Sequence, residues 1–445
     1  MSVPVGSSTS SSGLGTGIDV NSYVTTALAF DQANITTAQQ TKSSFDLQSK
    51  ALSQLSSELN SLQDAAYALS DPLGALNAQT ATSSDTSVLT ATATSSASSS
   101  THTITVNSLA TTSSYYTDAV ASSSTAINTG TFNVQVGTNA PVAITVDSTN
   151  NTLSGLASAI NSQGIGVLAS VIQDANGARL GLVSQSSGAS GDLTVSGNTT
   201  NLNFNKAVTG ANASLTVDGV PISSASNSVG NVINGVTLNL TSASPNAAVS
   251  LTVNPDTTQA TSAINRFVSA YNTAISDING QFNVASDGSG GGPLEADGSV
   301  RQAQSLLLGA ISYSVAGNNG IVNLASIGVN LNNDGTLSVD NAKFQTALSG
   351  NNAAVQNFLQ ATNTGFANNL SNVLNQVNDP ASGVLGVDAK GLTATSQDLG
   401  QRILDLQDAF ATRQQYLVQV YSKVNVTLQE LPLLQSQVQQ QLASA

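Results

Sequence analysis

Near the end of this 445-residue chain an apolar residue recurs at every seventh position: Ile403, Phe410, Leu417, Val424, Leu431 and Val438. A companion series four residues earlier, Leu399, Leu406, Arg413, Val420, Thr427 and Leu434, is apolar at four of its six positions. This 4-3 spacing lays a seam along one side of a helix, and such a seam must bury itself against another helix. A second run with the same spacing lies near the start, with Phe45, Leu52, Leu59 and Ala66 in one series and Leu55, Leu62 and Leu69 in the other. No proline falls between Pro4 and Pro72, so a long helix is open to this stretch, and Asp71-Pro72 ends it. The economical expectation is that the two seams pair, residues 399–424 packing on Phe45–Leu69. Asp19 is placed to cap the start of a helix, because its short acceptor side chain satisfies orphan amides. Pro432 lacks a backbone donor and clashes with the preceding turn, so the last helix is expected to kink or stop near Glu430.

Between these ends the period falls to two. From about residue 80 to 260 short runs such as "THTITVNSL", "GTFNVQVG", "PVAITVDS", "ASLTVDGVPI" and "NGVTLNLTS" alternate β-branched and polar residues, as half-buried strands do. Asn176-Gly177, Asp218-Gly219 and Asn234-Gly235 separate them with the residue types that tight hairpins need. One short helix is expected at about Leu153–Ser162. Helical periodicity returns in "ATSAINRFVSAYNTAISDI", where Ile264, Phe267, Val268, Tyr271, Ile275 and Ile278 share a stripe. Helices follow near 299–314, 340–360 and 363–378. The fold class expected is therefore α+β and multidomain: N- and C-terminal heptad helices pair into a helical leg, with β-rich head domains inserted between them.

Composition narrows the function. Charged residues make up 8% of the chain, the net charge is −14, and no Lys or Arg occurs between Lys50 and Arg179. A surface this acidic cannot collect phosphate backbones, which argues against nucleic acid as a partner. There is no cysteine, and His102 is the single histidine, so neither thiolate chemistry nor a His-based zinc site is available. His102 has no acid–base partner at a meaningful spacing, and no serine sits in a G-x-S-x-G elbow. "NLNNDG" opens like a calcium loop, but its twelfth position is Asn341 rather than a bidentate Glu, so a hairpin at Asp334-Gly335 is the better reading. Asp287, Glu295 and Asp297 flank a Gly-rich segment and read as a solvated loop. No enzyme, cofactor or metal site is expected. No run approaches the ~20 apolar residues of a membrane span. The start, "MSVPVGSSTSSSGLGTGIDV", has neither the basic nor the apolar region of a secretory signal peptide.

Taken together, the motifs resemble those of the flagellar hook-associated protein 2 family, the filament-capping proteins. "GLGTGIDVNSYV", with Gly13, Gly15, Gly17 and Asp19, is similar to the family's opening motif. "ITVNSLATTSSYYTDAVASSSTAINTGTFNVQVG" resembles its strand and small-residue linker. "LASAINSQGIG", centred on Ile160-Asn161, looks like the Ile-Asn module of hook and flagellin-type proteins. "LTVDGVPISSASNSVGNVINGVTLNL" carries Asp218, Gly219 and Gly235, and "RFVSAYN" carries Phe267, Tyr271 and Asn272. "SIGVNLNNDGTLSVDNAKFQTAL" resembles a family hairpin.

The resemblance implies a homo-oligomeric cap at the distal filament end. Flagellin and that filament end would be partners, together with a flagellar export chaperone and, as an added adhesin activity, host surface glycans or mucin. It places the protein outside the cell on the flagellum, exported by type III secretion. The division expected is a flexible arm over 1–42, a leg over 43–78 and 262–424, one head over 79–128 and 206–261, a second head with the Ile-Asn module over 129–205, and a flexible tail over 425–445. The seam residues of the leg are Phe45, Leu52, Leu55, Leu59, Leu62, Leu399, Ile403, Leu406, Phe410, Leu417, Val420 and Val424. The alternative is a flagellin-like or hook-junction filament subunit, which would share heptad termini around a β-rich middle.

Overall fold

The computed structural model describes residues 18–283 and 290–443. The order is helix, β-rich middle, helix, as the change of period requires. Helix α1 runs Val20–Ser70, and Asp19 caps it by accepting from the amides of Asn21 and Ser22 at 3.1 and 3.2 Å. The chain then enters the β region and returns through α3 (Thr257–Phe282), α4 (Gly298–Ile311), the hairpin β16 (Val329–Leu331) and β17 (Leu337–Val339), α5 (Asn341–Gln360), α6 (Phe366–Asn378) and the long α7 (Val384–Ala443). These helices share one core, in which Leu52, Leu55, Leu59 and Leu62 meet Phe267, Tyr271, Phe344, Phe358 and Phe366.

Two β-rich units, each with its own core, follow one another away from the helices. The inner head has a five-stranded antiparallel sheet in the order β1 (Gln79–Ser83), β15 (Val249–Pro255), β3 (Ser100–Ser108), β11 (Ala213–Val217), β12 (Val220–Ser224). A three-stranded sheet covers it, in the order β13 (Ser228–Ile233), β14 (Val236–Leu240), β2 (Leu89–Ala93). Ile104, Val106, Leu215, Leu238 and Leu251 fill the space between them. The outer head has β10 (Phe204–Val208), β4 (Thr112–Thr117), β8 (Gly177–Ser187) and β7 (Val167–Asp174) in one sheet. Its other sheet holds β6 (Val142–Val146), β5 (Gly130–Val136) and β9 (Leu193–Ser196), with helix α2 at Leu153–Ser162. Phe132, Ile144, Leu156, Ile160 and Leu182 are among its buried residues.

Several expectations change. Residues 20–42, expected as an arm, are the first turns of α1. Strands β4 and β10, which the expected boundaries split between heads, pair with each other and with β8. Residues 112–128 and 206–208 therefore belong with the outer head, whose core also takes in Ile127 and packs against Phe204. Helix α7 continues through Pro432 instead of stopping near Glu430. The carbonyl of Leu428, deprived of its donor by the proline, lies on an exposed turn where water can satisfy it.

Candidate functional site

Helices α1 and α7 form an antiparallel pair, but its register differs from the expected one. Tyr23 stacks on Tyr421 with ring centroids 5.8 Å apart, Asp31 pairs with Arg413 at 2.9 Å, and Asp46 accepts a hydrogen bond from the Ser396 hydroxyl. The partners on α7 thus fall in number as those on α1 rise. Residues 396–425 lie on 18–46, not on Phe45–Leu69. The cause is α6: Asn378 at its end donates to the Ser56 carbonyl at 3.0 Å and to Asn60 at 2.8 Å, so α7 starts beside the C-terminal third of α1 and runs toward its N-terminus. Leu52, Leu55, Leu59 and Leu62 are fully buried in the helical core, whereas Phe45 is half-buried.

On α7 only Ile403 of the named seam is buried; Leu399, Leu406, Phe410, Leu417 and Val420 are half-buried, and Val424 is 43% exposed. A two-helix pair covers each seam from one side only, so partial burial is what this geometry allows. The pair ends where the Ile18 amide donates to Asn425 Oδ1 at 2.9 Å. Beyond that point α7 continues for about five turns. Val426, Leu428, Leu431, Leu433, Leu434, Val438 and Leu442 are all exposed there. Among the described residues no helix is long and apolar enough to cross a membrane.

The motif positions in the heads and core are placed for structural reasons. Gly13, Gly15 and Gly17 lie outside the described residues, as does Asp287. Asp218 (φ +52°) and Gly219 (φ +81°) form the two-residue β11–β12 turn, whose positive angles suit Asp-Gly. Gly235 takes φ +70°, and a Cβ there would lie 2.6 Å from the Ala97 nitrogen. Phe267 meets Phe366 edge to face at 5.6 Å. Tyr271 is fully buried with its hydroxyl unpartnered among the described residues, and burial pushes that hydroxyl's pKa well above its ordinary value. Asn272 Nδ2 donates to the Leu337 carbonyl at 2.8 Å while its Oδ1 accepts the Leu337 amide at 2.7 Å.

The same two-bond grip recurs at residues that sequence reasoning did not single out for it. Asn161 of the Ile-Asn pair holds Ala169 through N–H and C=O, both at 2.8 Å. Asn227 holds Ala110 at 2.7 and 3.0 Å. In each case a carboxamide stands in for one rung of a neighbouring strand.

His102, expected to lack a partner, has one 116 residues away: its Nδ1 lies 2.7 Å from Asp218 Oδ2, and its Nε2 lies 2.9 Å from Ser100 Oγ. The order resembles a hydrolase triad. The Ser100 hydroxyl, however, is also 3.0 Å from the Ser98 carbonyl, to which it donates, and the Asp218 side chain is 51% exposed. Asp218 Oδ1 accepts the Thr103 amide at 2.8 Å, so the set ties strand β3 to the β11–β12 turn. These bonds hold its carboxyl below the usual carboxylate range. The Asp334-Gly335 segment is the β16–β17 hairpin turn, with Asp334 accepting from the Thr336 amide at 3.0 Å and hydroxyl at 2.6 Å. Among the described residues no group of three or more His, Asp or Glu could hold a metal ion.

The flagellar hook-associated protein 2 C-terminus profile matches residues 210–432, its N-terminus profile matches 16–113, and the flagellin hook IN motif matches 131–186. The chain is 33% identical over 425 residues to the B-type flagellar hook-associated protein 2 of Pseudomonas aeruginosa, covering 88% of this chain and 89% of that one. It is 28% identical over 368 residues to the flagellar hook-associated protein 2 of Escherichia coli K12, covering 77% and 78%. The crystal structure of the D1-D2-D3 domains of the flagellar cap protein FliD from Escherichia coli superposes with a TM-score of 0.62 at 28% identity, covering 77% of this chain and 99% of that one. With a relative this similar along most of both chains, and with the order of helix, heads and helix shared, the protein belongs to the flagellar hook-associated protein 2 family.

Proposed function

We propose that this protein is a structural cap at the distal end of the bacterial flagellar filament, where it acts as an oligomer that promotes flagellin insertion and prevents flagellin loss. The observation that carries the reading is the likeness to flagellar hook-associated protein 2 along 88% of the chain, joined to the likeness in fold to a flagellar cap protein. In this reading α1 and α3–α7 form the leg, and the two heads form the plate. The exposed apolar end of α7 is the part that meets the filament, because a helix with Leu431, Leu434 and Val438 in water gains by ordering against a partner. The work is binding and steric confinement and requires no chemical step. The protein acts outside the cell on the flagellum. Its route there is the flagellar type III pathway with an export chaperone, and adhesion to host glycans or mucin would be a separate task of the heads.

The test is deletion of the gene and complementation with this chain. The expected result is that deletion shortens or abolishes filaments and raises monomeric flagellin in the medium, and that complementation reverses both. Unchanged filament length and unchanged flagellin leakage on deletion would sink the proposal. Long open fibres formed by the purified protein, in place of closed rings, would favour a filament subunit instead.

A further inference from the structure

The main chain passes between the heads twice, between β3 and β4 and between β10 and β11. Two crossing strands alone would leave the heads free to twist. Here the crossings are paired: the Thr111 amide donates to the Ala211 carbonyl at 2.9 Å, the Thr111 hydroxyl donates to the Thr209 carbonyl at 2.7 Å, and the Ala211 amide donates to Thr111 Oγ1 at 2.9 Å.

Each head also grips the crossing. From the inner head Asn227 holds Ala110 by both its N–H and its C=O. From the outer head the Gly188 amide donates to the Thr111 carbonyl at 3.0 Å, and Asp192 Oδ1 accepts the Gly210 amide at 2.8 Å. The other Asp192 oxygen pairs with Lys206 at 2.7 Å.

A further line of contact lies off the crossing. The outer-head segment 187–189 reaches the inner head directly through Ser187 Oγ, which donates to the Ala225 carbonyl at 2.7 Å, while beside it the Ala189 amide donates to Oδ1 of Asn212, the last residue of the second crossing, at 2.8 Å. Asn212 is in turn braced by donating to Ser223 Oγ at 3.0 Å. Backbone packs on backbone here. Gly188 takes φ +81°, and a Cβ on it would lie 2.6 Å from Ala225 Cα; a Cβ on Gly210 would lie 2.7 Å from the Gly188 carbonyl oxygen.

We propose that this knot locks the two heads into one rigid body, so that force on the outer head passes to the inner head without bending at the crossing. An attachment off the line of the two strands removes the twist and bend that paired strands alone would permit. The bonds run mostly through carboxamides, hydroxyls and backbone, so the lock does not depend on pH near neutrality. The inference rests on the fold and holds whether or not the protein is a filament cap.

The chain contains no cysteine, so two introduced thiols are its only labelling sites. Gln163→Cys on the outer head and Asn246→Cys on the inner head, both at exposed positions, would carry spin labels for a distance measurement on the full chain. The expected result is a single narrow distance distribution. A broad or multi-peaked distribution in this otherwise unaltered protein overturns the lock outright, whatever any further variant does. Adding Asn212→Ala and Asn227→Ala should broaden the distribution. It should also speed hydrogen exchange at the Ala189 and Ala110 amides on the order of tenfold while leaving strands β5 and β14 protected. An unchanged narrow peak with unchanged exchange in that variant would show that these bonds do not hold the heads.

Discussion

At the scale of single residues this protein ties its parts together with amides where others use charge. Charged residues are 8% of the chain, and the described residues form three ion pairs between Lys or Arg and Asp, beside the His102–Asp218 hydrogen bond. Asn161, Asn227 and Asn272 instead grip a backbone residue by donor and acceptor together, a bond pair that neither salt nor neutral pH alters. Asn272→Asp keeps the acceptor and loses the donor, leaving the Leu337 carbonyl unpaired beside a new charge. The expected loss is about 1–3 kcal/mol of stability by urea unfolding, and an unchanged midpoint would show that the grip contributes nothing. The neighbouring Tyr271 carries the opposite prediction. Its hydroxyl is buried without a partner among the described residues, so the folded state bears a desolvation cost that nothing offsets. Tyr271→Phe should therefore leave stability equal or raise it by up to about 1–3 kcal/mol. A loss would mean that the hydroxyl has a partner in solution, such as a trapped water.

At the scale of elements the α1–α7 pair is open on one side, which sets what its substitutions cost. Leu417 is half-buried opposite the first half of α1. Leu417→Asp puts a carboxylate in the seam, and hydrogen exchange across residues 396–425 should quicken, with a local loss of about 1–3 kcal/mol. Leu434→Asp, on the exposed end of the same helix, should leave that exchange unchanged in the isolated protein. Equal effects at the two sites would contradict the observed register. The pair also carries an acid-sensitive contact. Hydrogen bonds from Lys42 and then Ser396 hold the Asp46 carboxyl below its usual range, outweighing an opposing push from desolvation. The folded value lies under the unfolded one, so this contact stabilises fully above the unfolded value near 3.8 and is lost as pH falls through the depressed folded value. Melting measured from pH 5 down to pH 2 should fall less steeply in Asp46→Asn than in the unaltered chain. Parallel profiles would remove Asp46 from the account.

At the scale of the whole molecule the order of helix, strands and helix is legible because period is a local property. A run such as "THTITVNSL" alternates whatever it pairs with, and α2 and the Asp-Gly turn fall where the sequence places them. Pairing is not local. Heptad spacing gives a helix a face but no register along its partner, so the Leu52–Leu62 stripe looks like half of a coiled coil while it is buried among α3, α5 and α6. His102 and Asp218 lie 116 residues apart, and no spacing rule spans that gap. Pro432 misleads for a related reason: a missing backbone donor costs least on an exposed turn, and Leu428, four residues before it, is exposed. The exposed end of α7 therefore poses the last question, since it adds apolar surface to the molecule with nothing described to cover it. If that surface serves only the filament, removing residues 426–445 should leave the melting of the isolated protein unchanged, because no described core includes them. The same truncation should abolish capping, with flagellin in the medium rising as it does on gene deletion. A truncated chain that melts earlier would place the end of α7 within the leg's own packing. One that caps normally would remove it from the filament contact and leave the helices above Asn425 to make that contact alone.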